Sequence, residues 1–436
     1  MANTEDENVE LAKEAQPATN AQAAPMFAPP PAIPTQEGPR GIRFDFNDGA
    51  RILLPRGEWH VELEDDESGN ILFACDAEEG WILSTKKYYV PFRIRVWDRA
   101  DLATPVLDHT MDLRDRPVVI KFPVGTLGDI LAWFNYAEKF REKHGCRLEC
   151  TLAKNIAELL APQYPGMALT AAPEMATAAP YASYRIGLFF GGDQDNQPYD
   201  FRQVGLARTA GYILGVDPRE TPPRLPPAPP RKIAEPYVCI AVQSTNIAKL
   251  WNNGVGWEQV IAHLKGLGYR VLCIDRDRTV GSGFFWNRIP HGAEDFTGDR
   301  PLAERAAMLR HADFFVGLSS GLSWLAWAAG TPVVMISGFT LPTCEFPTPY
   351  RVNNTHVCHG CWDATDAAFD HHDFFWCPRH KGTDRQFECS RAITGRQVIR
   401  AIERLRADLG LAAPNGAVAS APGSLGVGEK ESEVAK

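Results

Sequence analysis

Several absences narrow this chain before any motif is read. It has no long basic run and its net charge is -9, so the electrostatic footprint of a nucleic-acid-binding surface is missing. No Gly-x-Gly-x-x-Gly follows a strand-like segment, which counts against a nicotinamide-dependent dehydrogenase. No unit recurs at a fixed period, which argues against solenoids and propellers. The most apolar window, 317–336, is interrupted by Ser319, Ser320, Ser323, Thr331 and Pro332. It reads as turn, helix, turn and strand and not as a membrane span. Residues 1–38 are acidic and then Ala/Pro-rich, without the basic and apolar segments of a secretory signal. With no export signal, the ten cysteines point to free thiols or a metal site in preference to disulfides. The expectation is a cytoplasmic protein that meets neither membrane nor nucleic acid.

What is present suits two or three globular domains: 436 residues, 44% hydrophobic and 23% charged. Residues 1–40, with few aromatics and many Ala, Pro, Gln and Glu, are expected to be disordered, as is the Ala/Gly/Ser/Glu-rich stretch 412–436. Between 41 and 117, short alternating runs at 51–54, 59–63, 70–75 and 88–97 are separated by Asn47-Asp48-Gly49, Ser68-Gly69-Asn70 and Glu79-Gly80. This predicts a small antiparallel β domain serving as scaffold or oligomer contact. From 118 the pattern changes to alternating strands and helices. The first half, 118–216, has strands at 118–122, 147–152 and 184–190 and helices from 130, at 155–160 and at 202–214, with 162–182 as loop. A Pro-rich linker follows at 217–232. The second half, 233–343, has strands at 237–242, 270–275, 313–317 and 332–336 and helices at 257–267, at 301–310 and from Gly321. Such alternation implies parallel sheets, and two halves on a linker imply a cleft between them. Residues 344–394 hold a cysteine cluster, and 395–411 an apolar helix.

Four constellations could carry chemistry. In the first, the strand ending at Phe122 runs through Gly125 and Gly128 to Asp129, where an apolar helical pattern begins. Asp129 could merely cap that helix. Held near the C-terminal edge of a sheet, where open α/β folds bind ligands, it could instead act as a base. The second is Lys249, in a loop with Ser244 and Thr245 after a strand. It is either a solvated loop lysine or a point charge for a diphosphate. The third is Ser319-Ser320-Gly321-Leu322, where a strand turns into a helix. Its N–H groups and hydroxyls suit a phosphate, and the plainer reading is a serine cap. The fourth is Cys358-His359-Gly360-Cys361 followed by Cys377 and Cys389, a plausible tetrahedral thiolate site that by chemistry alone suggests zinc. Its alternative is four unconnected buried thiols. His371, His372, His380 and Cys344 are reserve ligands, and Glu258, Asp275 and Arg276 lie beside strand ends as candidate nucleotide contacts.

These motifs carry a resemblance. Gly125-Thr126-Leu127-Gly128-Asp129 resembles the Gly-Asp motif of the lipopolysaccharide heptosyltransferases, in which the aspartate is the proposed base. Lys249-Leu250-Trp251 resembles their Lys-Arg-Trp. The run from Ser319 to Ala326 resembles their Asp-Thr-Gly-Leu-X-His-Leu-Ala, with serines for Asp-Thr and Trp324 for His. The β extension and the four cysteines narrow it to the bacterial autotransporter heptosyltransferases, over residues 41–409. The resemblance implies a GT-B fold of two Rossmann-like halves with an N-terminal β domain and a four-cysteine metal finger. It implies Asp129 as catalytic base, flanked by Thr126, Leu127 and Gly128. Lys249, Ser319, Ser320, Gly321 and Leu322 then hold the diphosphate of ADP-heptose. Iron sits on Cys358, Cys361, Cys377 and Cys389 in a structural role, with zinc as alternative. The acceptor is a serine of an autotransporter passenger, the transfer inverts, and the enzyme is a large ring-shaped homo-oligomer in the bacterial cytoplasm. Two rival readings are a lipopolysaccharide core heptosyltransferase, which the β extension and cysteines oppose, and a non-catalytic metal-finger interaction protein on the same scaffold.

Overall fold

The computed structural model describes residues 27–415 except 124, 125, 173, 191–193, 284, 368 and 371. Most of the two stretches expected to be disordered therefore lies outside the described residues, as do Gly125 and His371. Residues 27–40, expected to be disordered, are ordered against the first sheet. Lys121 Nζ donates to the carbonyl of Ala28 (3.1 Å), Arg51 Nη1 to that of Pro31 (2.8 Å), and the Thr35 hydroxyl to that of Pro180 (2.9 Å). Composition hid this because partners distant in sequence, not local apolar residues, do the holding.

The first sheet grows outward from Pro117–Lys121, whose Val118, Val119 and Ile120 are fully buried, the continuous apolar run of a covered parallel strand. Arg147–Leu152 and then Ala168–Ala171 add on one side, and Ala182–Arg185 and Arg43–Asn47 on the other, all parallel. Arg51–Leu54 and Gly80–Leu83 continue the sheet antiparallel. The antiparallel region expected at 41–117 is thus divided. Three of its strands extend the first half's sheet, while Trp59–Asp65, Asn70–Ala77, Phe92–Asp98 and Leu107–Thr110 make a separate four-stranded sheet. The second half carries a six-stranded parallel sheet in the order Glu294–Asp295, Arg270–Cys273, Tyr237–Ala241, Phe315–Leu318, Val333–Ile336, Arg351–Val352.

Three local expectations are corrected. The strand expected at 184–190 ends at Arg185. The helix expected at 202–214 is two, Phe201–Val204 and Leu206–Ile213, broken at Gly205. There φ is +99° and a Cβ would stand 2.2 Å from the carbonyl oxygen of Thr343, so only glycine fits. The loop expected at 162–182 contains the edge strand Ala168–Ala171. A hairpin, Thr279–Ser282 with Phe285–Arg288, was not expected.

Two helices bring the halves together. Leu127–His144 buries Ile130, Leu131, Trp133, Phe134 and Phe140 against the first sheet and ends at Gly145 in the left-handed region. Gly321–Ala328 follows the strand Phe315–Leu318 in the second half. They pack on one another. The Pro-rich linker is tied to both halves: Tyr136 and Lys139 donate to the carbonyls of Pro218 and Asp217 (2.9 and 3.0 Å), and Arg310 to that of Pro226 (2.8 Å). Among the described residues no helix is long and apolar enough to cross a membrane.

Candidate active site

The two helix starts meet glycine to glycine. A Cβ on Gly128 would lie 2.8 Å from Trp324 Cδ1 and 3.4 Å from Gly321 Cα; one on Gly321 would lie 3.0 Å from Leu127 Cβ. Small residues at both points let two helix N-termini, each with unpaired N–H groups and a positive dipole end, face one cleft of about 480 Å³ between the halves. Thr126, Leu127, Gly128 and Asp129 line it from the first half; Lys249, Ser319, Ser320, Gly321 and Leu322 line it from the second.

Asp129 is not the helix cap. Thr126 occupies the cap position and Asp129 the third position of the helix. The Thr126 hydroxyl donates to Asp129 Oδ2 (2.5 Å) and makes no capping bond to the backbone. The carboxylate is half-buried on the cleft wall. Ser320 does hold the cap position of the second helix, yet its side chain makes no capping bond either. Neither Thr126 nor Ser320, then, spends its side chain on a capping bond, although each occupies a cap position. Behind them Ser323, fully buried, donates to the carbonyl of Leu318. Trp324 packs its edges against Trp327 and Phe346.

Lys249 ends the short turn Ile247–Lys249, which Asn246 secures by accepting from the Ala248 N–H (2.8 Å) and donating to the carbonyl of Asp373 (3.0 Å). Its ammonium lies 5.5 Å from the Phe339 ring centre and 5.2 Å from that of Trp362, cation–π distances. Burial lowers its pKa, and the charges of Asp129 and Glu345 oppose the shift. Lys249 and Asp129, contributed by opposite halves, thus feel one another across the cleft.

Of the three weaker candidates, Asp275 and Arg276 line the cleft. The buried Asp275 carboxylate accepts from the N–H of Val242 (2.7 Å) and Gln243 (3.3 Å), and burial pushes its pKa up to about 6. Glu258 is exposed on the helix Gly256–Gly266 and lines a different groove. The sequence reading missed Leu206, Asp277, Thr340 and Trp362. Thr340 follows the C-terminal end of Val333–Ile336, a position where ligands of open α/β sheets gather; the others carry no local signal.

Cys358, Cys361, Cys377 and Cys389 are free thiols. Burial pushes the Cys389 thiol up to about 12, and Cys361, Cys377 and Cys358 add to the rise. Cys361 responds in the same way to Cys358 and Cys377. The four thiols are thus near enough for their charges to interact. Of the reserve ligands, His380 shares with Cys358 and Glu388 a space where ligand atoms lie within 4.8 Å of one another. His372 is exposed. Cys344 is instead buried in the wall of the main cleft, near the Phe201 carbonyl. The cluster is fastened to the cleft. The N–H of Gly360 and Trp362 donate to the carbonyls of Gly338 (2.9 Å) and Phe339 (3.1 Å), so the cysteine loop carries one of the two rings beside Lys249, Trp362, and is bonded to the backbone of the other, Phe339.

Residues 38–100 match the N-terminal domain profile of glycosyltransferase TibC, and residues 207–369 match glycosyltransferase family 9 (heptosyltransferase). The autotransporter heptosyltransferase TibC of Escherichia coli O78:H11 is 63% identical over 384 residues, 88% of this chain and 94% of its own. The inactive autotransporter heptosyltransferase BimC of Burkholderia thailandensis is 42% identical over 390 residues, 89% of this chain and 91% of its own. The crystal structure of dodecameric iron-containing heptosyltransferase TibC in complex with ADP-D-beta-D-heptose superposes with a TM-score of 0.86 at 63% identity, covering 88% of this chain and 100% of that one. Its fold is the GT-B-like fold of family 9 with an N-terminal β domain, and the chain belongs to the autotransporter heptosyltransferase family.

Proposed function

We propose that this chain is an inverting protein O-heptosyltransferase. It moves heptose from ADP-glycero-manno-heptose to serines of an autotransporter passenger in the bacterial cytoplasm. The observation that carries the reading is the convergence of Asp129 and Lys249, from opposite halves, on a cleft that two helix N-termini also face. Residues 118–216 form the acceptor side and 233–343 the nucleotide-sugar side. Asp129 takes the proton from the acceptor hydroxyl as that oxygen attacks the anomeric carbon from the face opposite the diphosphate. Lys249 and the Gly321 helix start offset the charge that grows on the departing ADP. Such a site needs no divalent cation to hold the diphosphate. Thr126, donating to Asp129, orients the base.

The residues present also fit a metal. Four neighbouring thiols offer the donor set of a tetrahedral sulfur site, although the ligand atoms that stand within 4.8 Å of one another are those of Cys358, His380 and Glu388. Cys358, Cys361, Cys377 and Cys389 would hold iron, the metal of the iron-containing relative, with zinc the alternative. The ion would brace the loop that carries Trp362 against Lys249. The relative is dodecameric, and a large ring-shaped homo-oligomer is the assembly proposed for this chain.

An inactive relative at 42% identity means that family membership alone does not guarantee turnover, so the site itself needs testing. Wild type and Asp129→Asn are each co-expressed with an autotransporter passenger in a host that makes ADP-heptose, and the passenger's intact mass is measured. Heptose increments with wild type and none with the variant are expected. Increments with both would remove Asp129 from the mechanism. None with either, from folded protein, would favour the non-catalytic reading.

A further inference from the structure

We propose that Trp324 donates its indole N–H to a phosphate oxygen of the nucleotide-sugar; this deepens the nucleotide-sugar reading above and rests on it. Trp324 is 4% exposed, yet it lines the cleft. Trp327 and Phe346 stand edge-on to it, at 5.5 and 5.0 Å between ring centres, and fix the plane of the indole. Its Cδ1–Nε1 edge is turned to the start of the helix Leu127–His144: a Cβ built on Gly128 would lie 2.8 Å from Cδ1 and 3.4 Å from Nε1. A buried indole N–H usually finds an acceptor. Among the described residues none meets this one, and the nitrogen is not sealed from solvent. The polar edge of a buried ring is thus left open where the two helix starts meet, on the cleft wall.

What that edge can meet follows from its chemistry and its neighbours. An indole N–H only donates, so its partner must be an acceptor. The two helix starts bring further donors: among the described residues the N–H groups of Leu127, Gly128, Gly321 and Leu322 have no acceptor. Each start also carries the positive end of its helix dipole. Asp129 lies in the first turn of one helix; no acidic side chain lies in the first turn of the other, the one that carries Trp324. Lys249 lines the same cleft. Surplus donors at a positive helix end are the complement of an anion, and the anionic part of a nucleotide-sugar is its diphosphate. The indole adds a hydrogen bond with no charge of its own to desolvate. Held by Trp327 and Phe346, it is in place before the diphosphate oxygens gain charge as ADP departs.

The test is isothermal titration of wild type, Trp324→Phe and Trp324→His with inorganic pyrophosphate, ADP and ADP-heptose. It is run at about pH 8.5, about two units above the ordinary imidazole pKa, so that the histidine is neutral. Both substitutions shrink the ring and leave room beside Trp327 and Phe346. Only histidine keeps an N–H in a five-membered ring, where its Nε2 takes the place of the indole nitrogen. Trp324→Phe should weaken all three ligands about tenfold, the low end for a hydrogen bond to a charged group, and Trp324→His should recover most of that loss. Wild type that binds no ADP-heptose defeats the nucleotide-sugar reading and this inference with it. Where wild type does bind, equal weakening by the two variants, or none by either, overturns this inference alone, since Trp324 would then supply packing and not a proton. So does a loss that spares pyrophosphate, which would put the N–H on a part of the ligand other than phosphate. If a variant does not fold, the indole N–H band of wild type decides, followed by ultraviolet resonance Raman as pyrophosphate is added. A shift toward the hydrogen-bonded form is expected, and an unchanged band refutes the proposal.

Discussion

Gly128→Ala sets two physical effects against each other at the point where the halves touch. Intrinsic propensity favours the change, since alanine is better than glycine inside a helix by about 1 kcal/mol. The contact opposes it. The added carbon would stand 2.8 Å from Trp324 Cδ1, against an ordinary carbon–carbon separation of about 3.5–4.0 Å. Trp324 cannot swing aside, being 4% exposed and set edge-on to Trp327 and Phe346 at 5.5 and 5.0 Å between ring centres. The start of the Leu127–His144 helix must therefore back away by about 1 Å, and overpacking of this kind costs about 1–3 kcal/mol, more than the propensity gain. Asp129, the next residue, moves with it. A misplacement of about 1 Å in a catalytic group costs on the order of 100-fold in rate. The expected result is a lower melting temperature and kcat/KM for heptose transfer down by about that factor. ADP affinity should change little, because the proposed nucleotide side is the second half. A variant with wild-type kcat/KM and an equal or higher melting temperature would mean that propensity won, and that the glycine contact does not set the geometry of the base.

Lys249→Met should weaken ADP by about tenfold to a hundredfold, the range for a hydrogen bond to a charged group. Its pH dependence is also defined: burial lowers the Lys249 pKa below 10.5, and the diphosphate needs the ammonium form. Wild-type ADP affinity should accordingly fall as the pH rises through that lowered pKa, with the loss setting in below pH 10.5, while Lys249→Met stays flat. A flat wild-type profile up to that pH would refute the assignment. Cys377→Ser should release the bound metal, read by elemental analysis, and weaken ADP as well, since the Gly360 and Trp362 N–H groups tie the cysteine loop to the rings around Lys249. Metal loss with unchanged ADP affinity would uncouple the two.

What the sequence determined by itself is local. The parallel halves were legible because buried parallel strands such as Pro117–Lys121 are continuous apolar runs between helical patterns. The turns at Gly128 and Ser320–Gly321 were legible because a helix start announces itself within a few residues, and Cys358 and Cys361 were legible through their spacing. Tertiary structure decided how these pieces combine. Whether Asp129 is a cap depended on the Thr126 hydroxyl, which turns to the carboxylate and not to the backbone. Gly205 breaks an otherwise good helix only because the Thr343 carbonyl lies against it. Residues 27–40 have the composition of a disordered segment, yet Lys121 and Arg51 hold their carbonyls. Glu258 and Asp275 both looked like nucleotide contacts, and only the sheet's geometry brings one to the cleft and turns the other away. Thr340 and Trp362 had no motif, because they reach the cleft only when segments far apart in the chain meet there. Propensity, capping and spacing act over a few residues and can be read from order alone; a cleft is made of contacts between distant segments, and those exist only once the chain has closed on itself.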